Sequence, residues 1–202
     1  MLQSTPAPHW RTLSRQAALA VGGAALITLS AKLQIPFWPV PMTLHTLAVM
    51  AIAVAAGPRL ALATLATYLA AGAAGLPVFS GTPERGIGIA YMMGPTGGYL
   101  AGYLISAGVT AWLAKGRGTL GRIGAMLCGL AVIYALGLAW LAQFVPGDRV
   151  MAVGLLPFLP ADLVKVALVA AGATLPWGRL GGLSGGPSDG PSGGPFDGNS
   201  GR

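Results

Sequence analysis

Long apolar runs alternate along the chain with short segments rich in glycine, proline or charged residues. A helix needs about 20 mainly apolar residues to cross the hydrocarbon core of a bilayer. The runs therefore predict six membrane-spanning helices, over residues 14–34, 43–57, 59–75, 95–115, 119–144 and 157–177. Gly57 separates the short second and third helices, and Pro58 and Pro95 are expected in the first turns of the third and fourth. The predicted fold is all-α, a transmembrane bundle of six helices.

Composition supports a lipid environment. Hydrophobic residues make up 54% of the chain and charged residues 8%, whereas soluble domains are roughly a quarter charged. The net charge of +7 does not indicate nucleic-acid binding, because the basic residues lie singly between apolar runs. Such charges fix membrane orientation, with the more basic side cytoplasmic.

The basic residues predict the orientation of the bundle. Seven lie on one side, Arg11, Arg15, Arg59, Lys115, Arg117, Arg122 and Arg179. Three lie on the other, Lys32, Arg85 and Arg149. Both termini are therefore predicted to be cytoplasmic, with loops 35–42, 76–94 and 145–156 on the outer side.

Three segments follow from this pattern: a cytoplasmic N-terminal segment (1–13), a membrane domain (14–178) and a tail (179–202) rich in Gly, Ser and Pro. The first apolar run continues to about Leu33 without a convincing small-residue cleavage site, which favours a membrane helix over a cleaved signal peptide. The tail has too few apolar residues to pack and is predicted to be a disordered cytoplasmic extension.

Motifs for catalysis are missing from the sequence. It contains no phosphate-binding GxxxxGK[ST] loop, no HExxH and no CxxC. His9 and His45 do not form a cluster, and Cys128 is the single cysteine. An intramembrane protease would need a second catalytic group beside Asp162. We therefore expect no enzyme, no metal site and no cofactor.

Asp162 and Lys165 form the one clear ionisable pair within the predicted spans. Each costs about 2.5–3.5 kcal/mol at a helix centre on insertion scales, so such residues commonly mark functional sites. Their i, i+3 spacing places them on one helical face. Together they offer an acceptor and a donor to a small ligand such as a urea or an amide. Alternatively, Asp162 caps the first turn and Lys165 neutralises it or extends towards the interface.

Two outer loops are unusually apolar. Segment 75–94 is predicted to be a lid over a pocket, the alternative being a loop that lies in the membrane interface. Segment 35–43 contains three prolines and Trp38, which suits the interface. Thr43 and His45 are two residues apart and would not share a helical face, so only one of them is expected to contact a ligand. His45 is expected to be a hydrogen-bonded structural residue.

Four segments in sequence resemble the BioY family, the biotin-binding S components of energy-coupling factor (ECF) transporters. The resemblance covers about residues 14–178. The matching segments are Ile35-Pro-Phe-Trp-Pro-Val-Pro-Met-Thr-Leu-His-Thr-Leu-Ala, Gly75-Leu-Pro-Val-Phe-Ser-Gly, Gly94-Pro-Thr-Gly-Gly-Tyr-Leu-Ala-Gly and Pro157-Phe-Leu-Pro-Ala-Asp-Leu-Val-Lys.

The resemblance implies a role for particular side chains. Asp162 and Lys165 match the positions that engage the ureido ring of biotin. The implied pocket also includes Thr43, Phe79, Ser80 and Tyr91. Ala20 and Ala24 match a small-residue face on the first helix that docks the coupling subunit. His45 stands where family members often have Gln, so the contacts to the biotin carboxylate are expected to differ.

The leading hypothesis is a substrate-binding component for biotin uptake across the bacterial cytoplasmic membrane. It would act with a transmembrane coupling subunit and ATPase subunits. The alternatives are an uptake component for another small vitamin and a structural membrane protein without a ligand. The sequence leaves open whether the chain transports alone and what its oligomeric state is.

Overall fold

A computed structural model describes residues 9–36 and 38–174, so the predicted tail (179–202) lies outside the described residues. Seven helices and one small hairpin make up the described chain. They are α1 (His9–Lys32), β1 (Gln34–Ile35), β2 (Met42–Thr43), α2 (His45–Ala73), α3 (Gly88–Met92), α4 (Gly97–Ala114), α5 (Thr119–Leu141), α6 (Gly147–Gly154) and α7 (Leu159–Thr174).

Helix α2 contains the second and third predicted helices, joined at a break. Gly57 has φ +76° and ψ 169°, a conformation that interrupts the helix and favours glycine. Pro58 begins the second half, as predicted. The rings of His45 and Tyr68 are 5.1 Å apart, although 23 residues of straight helix would separate them by roughly 35 Å. The two halves therefore fold back on each other as a helical hairpin.

Four helical stretches among the described residues are long and apolar enough to cross a membrane: Leu13–Lys32, His45–Ala73, Thr119–Leu141 and Gly147–Ala173. With α2 counted as two halves and α4 added, the helices match the six predicted ones. Two boundary predictions were wrong: α1 begins at His9 and not at 14, and α4 begins at Gly97 after Thr96, so Pro95 precedes the helix. The predicted outer loops contain the short helices α3 and α6.

Helices α1, α2 and α4 pack around one apolar core, and α4, α5 and α7 pack around a second. Large apolar side chains cover much of the outside, including Trp112 at 71% exposure and Leu120 at 85%. An exposed apolar surface of this extent suits lipid contact.

Phe79 fixes the loop after α2 against the bundle. Its side chain is fully buried, and its ring lies so close to Gly72 that a Cβ at that glycine would be 2.0 Å from Phe79 Cζ. The ring also stacks on Tyr91 of α3 at 4.9 Å and meets the edge of Tyr68 at 5.5 Å. These contacts hold the 76–87 loop and α3 over one end of the helices.

Candidate functional site

One end of the bundle contains a small cavity beneath the 76–87 loop, α3 and the β1–β2 hairpin. Residues from every layer of this end line it: Val40, Pro41, Thr43, His45, Thr46, Tyr68, Ser80, Tyr91, Thr96, Tyr99, Leu100, Tyr103, Ile133, Tyr134, Phe158, Asp162 and Lys165. Its volume is about 40 Å³, below the roughly 300 Å³ at which pockets for drug-sized ligands begin. A vitamin-sized molecule can therefore enter only when parts of the wall move outward.

The charge pair lies on the cavity wall at the start of α7. Lys165 Nζ donates to Asp162 Oδ1 at 2.7 Å and to the backbone oxygen of Thr43 at 2.7 Å. The hydroxyl of Tyr134 donates to Asp162 Oδ2, also at 2.7 Å. Asp162 is 5% exposed, so its charge is compensated by groups inside the protein and not by bulk water.

This geometry differs from the alternative in which Lys165 extends outward, and agrees with the one in which Lys165 neutralises Asp162. Both carboxylate oxygens of Asp162 are engaged, one by Lys165 of the same helix and one by Tyr134 of α5. Lys165 points towards the β1–β2 hairpin, since its ammonium contacts Thr43. The pair thus presents an acceptor and a donor side by side within the bundle, as required for recognition of a planar amide or urea.

Aromatic rings form the cavity wall opposite the pair. His45 stacks on Tyr103 at 4.2 Å and meets the edge of Tyr68 at 5.1 Å. Its Nε2 is buried without a hydrogen-bond partner in the part of the chain that the structure describes. The expectation of a hydrogen-bonded structural histidine was therefore wrong, because the ring is held by stacking.

Two polar contacts connect the 76–87 loop to the β1–β2 hairpin, and these elements with α3 form the cover of the cavity. Ser80 Oγ donates to Gln34 Oε1 of β1. Arg85 donates to the backbone oxygen of Pro39 at 3.0 Å. Burial raises the pKa of the Tyr91 phenol, which therefore stays neutral.

Lys32 makes the most extensive of these connections. From the end of α1, its ammonium donates to the backbone oxygens of Phe79 (3.1 Å) and Thr82 (3.0 Å) and to the Thr82 hydroxyl (2.8 Å). The Lys32 ammonium thus satisfies backbone carbonyl groups of the loop that are not hydrogen-bonded within a helix or strand.

The predicted ligand-binding residues divide into two groups. Five of them line the cavity together: Thr43, Ser80, Tyr91, Asp162 and Lys165. Phe79 does not reach the wall and lies behind Tyr91, in the core.

Thr43 and His45 both line the cavity, so the helical spacing that led us to expect only one of them at a ligand does not separate them. Thr43 belongs to β2 and not to the helix, so helical spacing does not apply to this pair.

Ala20 and Ala24, predicted to dock a partner, are 5% and 7% exposed. They lie in the interior, where α1 packs on α2. The small residues that α1 exposes include Ala17, Ala18, Gly22 and Ala25. A partner that contacts α1 in this arrangement would meet those residues.

Several cavity residues were not identified from the sequence, above all Tyr134, Tyr68 and Tyr103. Tyrosine in the middle of an apolar run is a weak signal, because the ring suits a core and only the hydroxyl needs a partner. The i, i+3 pair on α7 indicates the site, but which tyrosine faces it depends on the packing of α5 and α4.

Comparison with known proteins places the chain in a family. A family model described as "BioY family" matches residues 3–181. The chain belongs to the BioY family. Two relatives are the "Probable biotin transporter BioY" of Pyrococcus horikoshii and the "Biotin transporter BioY" of Thermotoga maritima. They are 36% and 38% identical, over 76% and 72% of this chain and 91% and 86% of theirs.

A comparison with solved structures finds a protein with the same fold. A solved structure described as the S component for biotin from an ECF-type ABC transporter matches with a TM-score of 0.72. It is 23% identical, and the match covers 89% of this chain and 97% of the other. The likeness shows the fold, and with the apolar helices and the family assignment it identifies a multi-pass membrane protein.

Proposed function

We propose that this chain takes up biotin across a cytoplasmic membrane, as the substrate-binding component of an ECF transporter. The observation that carries the proposal is the Asp162–Lys165 pair on the wall of a cavity at one end of the bundle. The names of the BioY relatives and of the structural neighbour support biotin as the ligand. The chain would act as a transport component and not as an enzyme.

The ureido ring of biotin matches the chemistry of the pair. Its N–H groups would donate to Asp162, and its carbonyl oxygen would accept from Lys165. In the closed cavity Lys165 donates to the Thr43 backbone, so the ring would replace that contact. Tyr134 would hold the carboxylate in place from the other side.

The remaining cavity residues are proposed to surround the ligand. Thr43, Ser80 and Tyr91 would line the path between the ring and the cover, and Phe79 would position Tyr91 from behind. A bound ligand would also supply the partner that His45 Nε2 lacks within the described chain. Because His45 stands at the cavity surface, its contact with the ligand would be particular to chains that carry histidine here.

Orientation and partners follow from charge and exposure. With both termini cytoplasmic, the cavity faces outward and its cover opens to the side from which biotin arrives. The sequence has no phosphate-binding loop, so ATP would be hydrolysed by partner subunits. The coupling subunit would contact the exposed face of α1 at Ala18, Gly22 and Ala25.

Biotin titration of the purified protein in detergent tests the proposal. Asp162→Asn and Lys165→Ala should each weaken binding at least tenfold, since each leaves a buried polar group unpaired. Asp148→Asn and Lys115→Ala are the matched controls, because both side chains are exposed and outside the cavity lining. Thiamine and riboflavin should not bind.

Each alternative predicts a different result when the vitamins are compared by titration and by thermal shift. Preferential binding of another vitamin would identify a different uptake component. If no vitamin shifts the melting temperature, the chain is a structural membrane protein. Unchanged biotin affinity in both site variants would refute the assignment of the pair.

A further inference from the structure

A second depression lies at the opposite end of the bundle, between α1 and the break in α2. It has a volume of about 410 Å³ and is open to the side. Two arginines and one glutamine contribute its polar lining, and small or branched apolar residues contribute the rest. The lining residues are Arg15, Gln16, Leu19, Ala56, Arg59, Leu60 and Ala63.

The two guanidinium groups have no counter-charge in the described chain. Neither Arg15 nor Arg59 makes a hydrogen bond or an ion pair with the residues that the structure describes. The acidic residues of those ranges, Glu84, Asp148 and Asp162, belong to the elements of the cavity end. Two cations without a counter-charge among the described residues therefore share one groove, and this charge favours an anionic occupant.

The position of the groove fits a membrane surface. Arg15 precedes Lys32 by 17 residues of helix, so about 25 Å separates it from the cavity end. Arg59 lies two residues after the break at Gly57, where α2 turns back. Both arginines therefore stand near the level at which lipid headgroups meet the bundle.

The walls continue inward as apolar surface. Leu19 follows Arg15 by one helical turn, and Ala63 follows Arg59 by one turn, both towards the middle of the bundle. Leu26, which is exposed two turns after Leu19, extends this surface on α1. A groove with two cations at one end and apolar walls beyond them suits a molecule that is anionic at one end and aliphatic beyond it.

We propose that this groove binds an anionic phospholipid. Its phosphate would lie between Arg15 and Arg59, whose planar guanidinium groups can each donate two hydrogen bonds to phosphate oxygens. The Gln16 amide would donate to the glycerol or headgroup oxygens, and an acyl chain would follow Leu19 and Leu60. An acidic side chain of a partner protein would satisfy the arginines but would leave the apolar walls unfilled, which favours the lipid.

Lipid-dependent thermal stability tests the proposal in mixed micelles containing phosphatidylglycerol or phosphatidylcholine. The wild-type chain should melt at a higher temperature with phosphatidylglycerol. Native mass spectrometry should show one retained phosphatidylglycerol. In the variant Arg15→Gln/Arg59→Gln, the affinity for phosphatidylglycerol relative to phosphatidylcholine should fall by about fivefold for each guanidinium removed. Soluble glycerol phosphate should not stabilise the protein, because it cannot fill the apolar walls.

The matched control is Lys115→Gln/Arg117→Gln, which removes the same charge from the same end of the bundle, outside the groove. It should keep the phosphatidylglycerol preference, and circular dichroism should confirm equal helix content in both variants. Equal loss in both variants, or equal stabilisation by the two lipids, would overturn the site. A groove variant that keeps its lipid preference but fails to assemble with partner subunits would assign the groove to a protein carboxylate instead. Biotin is not used as a readout, so the result is independent of the proposed transport function.

Discussion

The two ends of the bundle use their cationic side chains in different ways. At the cavity end, Lys32 and Lys165 donate to backbone oxygens of the cover, and Lys165 also pairs with Asp162. At the other end, Arg15 and Arg59 face an open groove without a partner in the described chain. The first arrangement closes the protein over a cavity, whereas the second leaves charge available to the surroundings. The location of a basic residue therefore says less about its role than the groups it can reach.

The largest effect on stability and biotin binding is expected from a substitution that disturbs the packing behind the cavity wall. Gly72→Leu would place a side chain where the Phe79 ring lies, since even a Cβ would be 2.0 Å from that ring. The ring and the Tyr91 stacked on it would be displaced, and overpacking of this kind costs about 1–3 kcal/mol or more. We expect a lower melting temperature and loss of measurable biotin binding by titration.

Gly22→Leu is the matched control for this variant. Gly22 lies on the exposed face of α1, and nothing is within 4 Å of a Cβ built there. It should leave both the melting temperature and the biotin affinity close to wild type. Wild-type binding by the Gly72 variant would show that the Phe79–Tyr91 stack does not shape the cavity.

Removal of one hydroxyl tests how the charge pair is held. Tyr134→Phe deletes the donor to Asp162 Oδ2 and leaves a buried carboxylate oxygen without that bond. An unsatisfied buried polar group costs about 1–3 kcal/mol, so we expect biotin affinity to fall about tenfold. Isothermal titration calorimetry measures this directly.

Tyr99→Phe makes the same chemical change at the same end. Its hydroxyl donates to the Gly154 backbone oxygen at 2.8 Å and does not contact the pair. Because Tyr99 also lines the cavity, the variant should lose some stability but lose less biotin affinity than Tyr134→Phe. Equal loss of affinity in the two variants would mean that Tyr134 acts through general packing and not through Asp162.

Sequence patterns were sufficient to predict the helices and the charge pair. Apolar runs of bilayer length define the spans, and an intramembrane Asp and Lys three residues apart can face only one side of a helix. The break at Gly57-Pro58-Arg59 was also predictable, because Gly and Pro interrupt an otherwise continuous run. These signals are local, so they can be recognised without knowledge of the tertiary structure.

The groups around the pair could not be predicted in the same way. Tyr134 reaches Asp162 from a position 28 residues earlier, and Lys165 reaches Thr43 across 122 residues. Such contacts depend on which faces of neighbouring helices meet. The small-residue positions on α1 show the same limit, since Ala20 and Ala24 are buried while Ala18 and Gly22, on the same helix, are exposed.

The smallest effect is expected at the connection between α1 and the cover. Lys32→Met removes three hydrogen bonds to Phe79 and Thr82 but keeps an apolar stem of similar length. The 76–87 loop should open more often, so its backbone amides should exchange hydrogen faster while those of α5 do not change. Because Ser80 and Arg85 still tether the cover, biotin affinity should fall only about threefold, at the low end of net hydrogen-bond contributions. Lys115→Met removes a lysine at the other end and should change neither quantity. If the loop amides of the Lys32 variant exchange as slowly as those of the wild type, the ammonium does not hold the cover closed.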